Sequence, residues 1–265
     1  MPVSRLESVR NKRIKWLKSL RERKYRRLYQ SFFVEGEHCV QEAANSALPF
    51  SVLLIDELQQ DRFSGLLRQY ATETEVFLVP RGILNCLCET VTPQGVAGVL
   101  PLVVKGPPSS YNGRLFVALD GIQDPGNLGT ILRTADAAGA DFLLLSDSCA
   151  DPQGGKAVRA SMGSLFHLPV YQTSDLPGEV QRLIADGWDV CSAELQGDPF
   201  FLRNKSTERQ GLVIGSEGSG ISSEVSAACS QHLRLSMAGK AESLNAAVAA
   251  GIMIYDIAIN LGILH

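Results

Sequence analysis

The sequence predicts an α/β protein of two domains, and three observations support that prediction. Short apolar runs typical of buried strands alternate with segments of helical periodicity along most of the 265 residues. Residues 106–113 interrupt the alternation and have the proline, glycine and serine content of a linker. The apolar content of 45% provides a core for each part. We therefore expect a first domain over residues 1–105 and a second over residues 114–265.

Basic residues are concentrated at the N-terminus. Residues 1–30 hold 11 of the 25 lysines and arginines and two of the 28 acidic residues, a net charge of +9, whereas the remaining 235 residues carry −12. Apolar residues recur among these charges at helical spacing, which predicts one or two amphipathic helices with a cationic face. A solvated charged surface is the alternative, but the asymmetry favours contact with a polyanion such as RNA. The residues expected to reach it are Lys12, Lys15, Arg23, Lys24, Arg26 and Arg27.

The rest of the first domain alternates between strands and helices. Residues 32–43 have the pattern of a strand, a turn and a helix. Strand-like runs follow at 52–55 and 76–79, with a helical segment at 61–70 between them, and the run at 96–100 is expected to close the sheet.

The second domain opens with a candidate ligand loop. A buried strand at 115–119 runs into a turn, after which Asn127 stands where a helix N-cap belongs. Gly129 and Arg133 are four residues apart and share a helix face, an arrangement that suits an anionic or oxygen-rich ligand. The alternative is an ordinary strand-turn-helix connection in which Arg133 pairs with Asp136 on the surface.

The alternation of strands and helices continues through the second domain. A strand is predicted at 142–145, a short helix at 156–163, an extended segment at 168–170, a helix at 178–186 and a strand at 188–193. Such alternation favours a parallel sheet covered on both faces.

Two more glycine-rich loops each follow a strand. The loop at 215–220 has the spacing G-x-x-G-x-G, which matches neither the dinucleotide fingerprint nor a phosphate-binding P-loop. The loop at Gly239 precedes a helix whose first turn is expected to include Ser243 and Asn245. This helix carries small residues at 246, 247, 249, 250 and 251. A plain turn explains the glycines and core packing explains the alanines, but neither explains the two polar residues beside them.

The three loops together resemble the three motifs of the SpoU (TrmH-like) RNA ribose 2'-O-methyltransferases of the SPOUT superfamily. The matching segments are Asn127-x-Gly129-x-x-x-Arg133, Gly215-Ser-Glu-Gly-Ser-Gly220 and Met237-Ala-Gly239-x-x-x-Ser243-Leu-Asn245. The basic helices and the segment Phe-Val-Glu-Gly at 33–36 resemble that family's ribosomal-protein-like substrate-binding domain. The chain departs from the family pattern at Ser216, where asparagine is common, and at Ser236, where proline is frequent.

The resemblance implies a fold, a cofactor and an assembly. The C-terminal domain is expected to contain a parallel sheet with a deep trefoil knot. The smaller N-terminal α/β domain is expected to bind RNA, namely ribosomal RNA of the large subunit. S-adenosylmethionine is the implied methyl donor, a homodimer the implied assembly, and the cytoplasm the expected location.

The resemblance also implies roles for particular residues. The expected catalytic residues are Arg133, Asn127, Glu217, Ser243 and Asn245. The expected cofactor contacts are Ile214, Gly215, Leu235, Met237, Gly239 and Leu244. Arg159 matches a further family segment, where it either contacts RNA or has a structural role. Because a guanidinium has a pKa above about 12, we expect Arg133 to clamp a phosphate and stabilise the developing alkoxide rather than act as the base.

Other classes of protein fit the sequence less well. The six cysteines show no metal-binding spacing and are typical of reduced thiols, and the apolar helix at 246–259 is too short to span a bilayer. The four histidines, His38, His167, His232 and His265, match no catalytic motif position and are interpreted as structural or solvated. The alternatives considered are a transfer-RNA 2'-O-methyltransferase, a catalytically inactive RNA-binding protein of ribosome assembly, and a dehydrogenase, which would need a dinucleotide fingerprint that the chain lacks.

Overall fold

The computed structural model describes residues 3–70, 74–205 and 208–265, which form two compact units. The first unit comprises the chain up to Val103 together with residues 153–166, and the second comprises residues 104–152 and 167–265. Segment 153–166 thus groups with the N-terminal unit, whereas the sequence prediction placed it in the C-terminal domain. The grouping has a physical cause, because Arg159 in this segment forms ion pairs with Glu35 and Glu89 of the first unit.

The first unit is built on a five-stranded sheet with strand order β1-β4-β3-β5-β2. Its strands are β1 (Ser4–Arg5), β2 (Ser31–Glu35), β3 (Val52–Asp56), β4 (Glu75–Val79) and β5 (Val96–Pro101). Its helices are α1 (Lys12–Ser19), α2 (Arg23–Tyr29), α3 (Glu37–Asn45), α4 (Ser64–Tyr70), α5 (Arg81–Leu87) and α7 (Gly155–Ser161). Strand β5 pairs with both β2 and β3, antiparallel to each. Because it has a neighbour on each side, it lies inside the sheet and does not close its edge.

The sequence predicted one or two basic amphipathic helices, and the structure has two, α1 and α2. Helix α1 begins after Asn11, whose side chain accepts a hydrogen bond from the backbone N–H of Arg13 at 2.8 Å. Its apolar face contributes Ile14 and Leu17 to the core of the first unit, and Leu20 follows at the C-cap. The helices therefore belong to the folded core and are not a separate basic arm.

The second unit is built on a six-stranded sheet with strand order β11-β9-β10-β6-β7-β8. Its strands are β6 (Leu115–Asp120), β7 (Phe142–Ser146), β8 (Val170–Thr173), β9 (Asp189–Pro199), β10 (Gln210–Gly215) and β11 (Gln231–Arg234). Its helices are α6 (Pro125–Ala137), α8 (Leu176–Ala185), α9 (Ser223–Ala228) and α10 (Ala246–Asn260). All of the pairings between these strands are parallel, which confirms the predicted parallel sheet.

Strands β6 and β10 place two of the candidate loops side by side. They pair in register from one end to the other, with Gly215 opposite Asp120 at their carboxyl ends. Every residue of both strands is buried, as expected for central strands covered on both faces. In open parallel sheets, ligands bind in the crevice beyond the carboxyl ends of the strands. The trefoil knot stays a prediction, because strand order and register do not by themselves establish how the chain is threaded.

The predicted linker at 106–113 is part of the second unit and is not a free tether. Tyr111 is buried within it, and its ring stacks on that of Phe142 with 4.6 Å between centroids. The Tyr111 hydroxyl donates a hydrogen bond to Glu179 at 2.9 Å. Arg182 and Arg209 also donate to backbone carbonyls of the segment, so Tyr111 and these two arginines anchor it although its composition is typical of a linker. Among the residues that the structure describes, no helix is long and apolar enough to span a membrane.

Candidate active site

Helix α6 begins three residues earlier than the sequence predicts. The N-cap is Asp124, whose carboxylate accepts a hydrogen bond from the backbone N–H of Asn127 at 2.9 Å. The prediction that Asn127 is the cap was wrong. Pro125 suits the first helical position, so the helix starts there and Asp124 is the cap. The consequence is functional, since the side chain of Asn127 is left available for other contacts.

Asn127 connects the three candidate motifs through hydrogen bonds. Its amide nitrogen donates to the carboxylate of Glu217 in the loop after β10. Its amide oxygen accepts from Nδ2 of Asn245 at 3.1 Å. Asn245 is itself the N-cap of α10 and accepts from the backbone N–H of Ala247 at 3.0 Å. Asn245 and Ser243 thus precede the helix, rather than lying in its first turn as predicted.

The loop after β10 is held closed by its own backbone. Ser216 and Gly220 exchange two backbone hydrogen bonds, with N···O distances of 3.1 and 3.0 Å. A Cβ on Gly215 would lie 2.2 Å from the carbonyl carbon of Gly220, a distance that no side chain can adopt. Only glycine therefore permits this close approach at position 215.

A cleft of about 900 Å³ lies beside this loop, at the upper end of the size range of small-molecule sites. Five of the six predicted cofactor residues line it, namely Ile214, Gly215, Leu235, Met237 and Leu244, and so do the predicted catalytic residues Glu217 and Ser243. Gly239 is not among the lining residues. The charged side chains of the lining are Glu194, Glu217, Glu242 and Arg234. The excess of carboxylates suits a ligand that carries positive charge.

Arg133 lies on α6 with its side chain exposed, outside the set of residues that line the cleft. Within the described ranges it forms no hydrogen bond or ion pair, and Glu217 contacts Asn127 rather than Arg133. Asp136, the surface partner considered for Arg133, instead lies 3.6 Å from Nδ1 of His167. The guanidinium is therefore available to an external anion.

Two comparisons establish the family. Residues 114–255 match the SpoU rRNA methylase family, and residues 11–98 match the MRM3-like substrate-binding domain. The chain belongs to the SpoU rRNA methylase family. The Bacillus subtilis 23S rRNA (guanosine(2553)-2'-O)-methyltransferase RlmP is 34% identical over 258 residues, which cover 96% of this chain and 99% of that protein.

Solved structures of similar SpoU proteins extend over nearly the whole chain. An AdoMet-bound rRNA methyltransferase from Sinorhizobium meliloti is 30% identical, with a TM-score of 0.85 and coverage of 98% of both chains. The SpoU methyltransferase AviRb from Streptomyces viridochromogenes, in complex with AdoMet, is 29% identical, with a TM-score of 0.82 and coverage of 94% of this chain and 98% of that one. These relatives share the fold of both units of this methyltransferase.

The SpoU site contains a polar cluster that motif analysis did not detect. Glu194 of β9 lines the cleft, and its Oε1 atom lies 3.0 Å from Nδ1 of His232 in β11. Ser192 and Ser226 also contact Glu194 Oε1, at 2.6 and 2.7 Å. These residues lie outside the three motifs, and the only signal in the sequence was a polar run at the end of a buried strand.

The predicted RNA-binding residues of this methyltransferase differ in accessibility. Lys12, Lys15 and Arg27 are exposed, Arg23 is half-buried, and Lys24 is exposed but pairs with Glu22 at 2.9 Å. Arg26 was a wrong prediction, because it is buried and donates to the backbone carbonyls of Leu20 and Arg21 at 2.8 and 2.6 Å. Its guanidinium satisfies carbonyl groups at the end of α1 and cannot reach a polyanion.

Arg159 is held within the first unit. Its guanidinium lies 2.6 Å from Glu35 Oε1 and 3.0 Å from Glu89 Oε2. The Glu35 carboxylate also accepts the backbone N–H groups of Glu89 and Thr90. These contacts favour the structural alternative for Arg159 over RNA contact. Across the described part of the chain, no group of three or more histidine, cysteine, aspartate or glutamate side chains is arranged to hold a metal ion.

Proposed function

We propose that this SpoU protein transfers the methyl group of S-adenosylmethionine to a ribose 2'-hydroxyl of ribosomal RNA of the large subunit. The observation that carries the proposal is the hydrogen-bonded network in which Asn127 joins Glu217 and Asn245. It unites residues of all three SpoU motifs at one place. The relative from Bacillus subtilis, named for 2'-O-methylation of a 23S rRNA guanosine, supports the choice of substrate.

The cleft beside the loop 215–220 is the proposed cofactor site. Its apolar wall includes Ile214, Leu235, Met237 and Leu244, which suit an adenosine moiety. Its carboxylates suit the sulfonium and ammonium charges, and Arg234 suits the carboxylate of the methionine part. When bound, S-adenosylmethionine supplies an electrophilic methyl group. We propose that Gly239, which does not line the cleft, contacts the cofactor through the backbone of its loop.

Arg133 is the proposed clamp for the RNA. A guanidinium stays protonated at every pH at which a protein is folded, so it can bind a phosphate and stabilise an alkoxide but is a poor base. Its exposure and its lack of a partner in the described chain leave all of its donors available. Glu217, Asn127, Ser243 and Asn245 are proposed to shape the site around it.

The proposed reaction is tested with purified protein, labelled S-adenosylmethionine and ribosomal RNA lacking the modification. Methylation of a ribose 2'-hydroxyl blocks alkaline cleavage at that nucleotide, so the label should appear in an alkali-resistant dinucleotide. Label in a base, or transfer to transfer RNA alone, would contradict the proposal. Tight RNA binding without any calorimetric signal for the cofactor would instead support the inactive assembly protein.

We also propose that the active form is a homodimer, with α10 at the interface. Four apolar residues of α10 follow one another at helical spacing with half or so of each side chain exposed: Val248 (51%), Ile252 (40%), Tyr255 (42%) and Ile259 (58%). Such a stripe is unusual on an isolated protein surface, and a second copy of the same stripe would cover it. Because ribosomal RNA is the proposed substrate, we place the enzyme in the cytoplasm.

A further inference from the structure

Glu194 is a carboxylate in the wall of the cleft that none of the SpoU motifs includes. It lies on β9 next to the last residue of that strand that pairs with β10, Ala193. Its side chain is about a quarter exposed, at 24%, and it lines the cleft. A carboxylate this enclosed needs a structural partner, a ligand, or both.

The two oxygens of Glu194 have different surroundings. Oε1 lies within hydrogen-bond distance of Ser192 Oγ at 2.6 Å, Ser226 Oγ at 2.7 Å and His232 Nδ1 at 3.0 Å. These three groups come from β9, α9 and β11, so they fix the side chain from three directions. Oε2 accepts no hydrogen bond from any described residue. One oxygen is therefore saturated by the protein and the other retains its full accepting capacity.

The charge on this carboxylate is maintained by the same contacts. Burial alone would raise the pKa of Glu194, but the hydrogen bonds from Ser192, Ser226 and His232 outweigh burial and hold the pKa below its ordinary value. At neutral pH the free oxygen is thus an anionic acceptor. The cost of enclosing it is offset most directly by a ligand that donates a hydrogen bond there.

We propose that Oε2 of Glu194 accepts a hydrogen bond from S-adenosylmethionine, and that this bond is a main determinant of cofactor affinity. The inference rests on the proposed function, which supplies the ligand. Three groups of the cofactor are able to donate: the α-ammonium, the ribose hydroxyls and the adenine amino group. Glu217 in the same cleft is exposed, and among the described residues a single contact, from Asn127, holds its carboxylate, so it is less fixed and less enclosed than Glu194.

The test replaces Glu194 with glutamine in the full-length chain. The amide oxygen of Glu194→Gln can keep the contacts with Ser192, Ser226 and His232, while the amide nitrogen places a donor where Oε2 was an acceptor. Isothermal titration calorimetry should show S-adenosylmethionine binding weakened by about tenfold to a hundredfold. The free protein should stay folded with a modestly lower melting temperature, because the charged form of Glu194 contributes to stability. The matched control is Glu224→Gln on α9, which removes the same charge outside the cleft and should leave affinity unchanged.

Two analogues show whether a hydrogen bond is lost and which donor makes it. S-adenosylhomocysteine keeps all three donors without the sulfonium charge, so Glu194→Gln should weaken its binding to the same degree. Methylthioadenosine lacks the amino-acid part. If Glu194→Gln weakens its binding as much as that of S-adenosylmethionine, the donor is the ribose or the adenine. If its binding is unchanged, the donor is the α-ammonium. The inference would be overturned if Glu194→Gln bound S-adenosylmethionine with unchanged affinity, or if its affinity fell for S-adenosylmethionine but not for S-adenosylhomocysteine. Either result would leave the proposed function intact. Failure of the unaltered protein to bind S-adenosylmethionine would overturn both.

Discussion

Asn127 shows how the side chain of one residue can be freed for contacts by its neighbour. Asp124 caps α6, so the Asn127 side chain is not needed to satisfy the first amides of the helix. Its amide group places a donor nitrogen and an acceptor oxygen side by side, and both are used, the nitrogen by Glu217 and the oxygen by Asn245. Neither aspartate nor leucine could bridge these two partners, because each lacks a donor.

Arg133 is predicted to act on the RNA and not on the cofactor. Substitution Arg133→Ala should lower the rate of methyl transfer by at least about a hundredfold, since it removes the charge that stabilises the developing alkoxide. The affinity for S-adenosylmethionine, measured by calorimetry, should stay at the level of the unaltered protein. Arg133→Lys keeps the charge without the two-pronged donor geometry and should recover only part of the rate. A loss of cofactor affinity in Arg133→Ala would contradict this role.

Arg26 and Arg27 are adjacent residues for which the structure leads us to expect different roles. Arg26 is buried and donates to two carbonyls, so Arg26→Ala should reduce the free energy of unfolding by about 1–3 kcal/mol. Arg27 is exposed, and Arg27→Ala should change stability by less than about 0.5 kcal/mol while weakening RNA binding. Chemical denaturation and filter binding of both variants measure the two effects. Equal loss of stability in the two variants would refute the distinction.

At the scale of elements, the site is assembled from segments that follow the carboxyl ends of neighbouring strands. The loop after β6 leads into α6, and the loop after its neighbour β10 leads into α9. Helix α10 packs on α6 closely enough that a Cβ on Gly251 would lie 3.7 Å from Cγ2 of Thr134. The small residues of α10 thus bring Asn245, at its start, within reach of Asn127.

The loop 215–220 is predicted to depend on the absence of a side chain at its first position. Gly215→Ala would place a methyl group against the backbone of Gly220, so the loop must shift. We expect a loss of at least about 2 kcal/mol of stability and weaker cofactor binding. Gly218 is the matched control, because no atom lies within 4 Å of a Cβ added there, and Gly218→Ala should keep the unaltered melting temperature. Similar melting temperatures for both variants would contradict the proposed constraint.

Some elements escaped the sequence analysis for different reasons. Strand β1 has only two residues, too few for any periodicity to be visible. Helix α5 carried a usable signal, since Ile83, Leu84 and Leu87 lie on one face and Pro80 precedes its first residue. The packing of Tyr111 had no local signal, because its partner Phe142 lies on a strand 31 positions further along the chain.

At the scale of the whole molecule, the uneven charge predicts how RNA binding responds to salt. Lys12→Glu combined with Lys15→Glu should weaken RNA binding and flatten its dependence on salt, because fewer counterions are released. Cofactor affinity should not change. Deleting residues 1–30 would be a poorer test, since it would also remove Ile14 and Leu17 from the core. Lys105→Glu is the control outside the basic helices. If the double variant bound RNA as tightly as Lys105→Glu does, the assignment of Lys12 and Lys15 to RNA binding would be refuted.

The proposed homodimer gives a second prediction at this scale. Ile252→Asp places a charge in the exposed stripe of α10 and should convert the dimer to a monomer in sedimentation experiments, because burial of an unpaired carboxylate is costly. Leu58→Asp is the control, since Leu58 is 86% exposed in the first unit and lies on no comparable stripe. A monomeric unaltered protein, or a dimer that persists in Ile252→Asp, would exclude α10 as the interface.

The sequence by itself determined the α/β class, the parallel sheet, the basic helices, and the order and spacing of three SpoU motifs. The class, the sheet and the helices follow from local features, since periodicity and turn chemistry involve residues within about one element of one another. The three motifs were recognised by their resemblance to the family. Only the tertiary structure decided that Asn127 bridges Glu217 and Asn245, that Arg26 is buried, and that Glu194 meets His232. For the Asn127 bridge and the Glu194 contact, the physical reason is the strand order, which makes neighbours of β11, β9, β10 and β6 although they are distant in the chain. For Arg26 it is the packing of α2 against the end of α1.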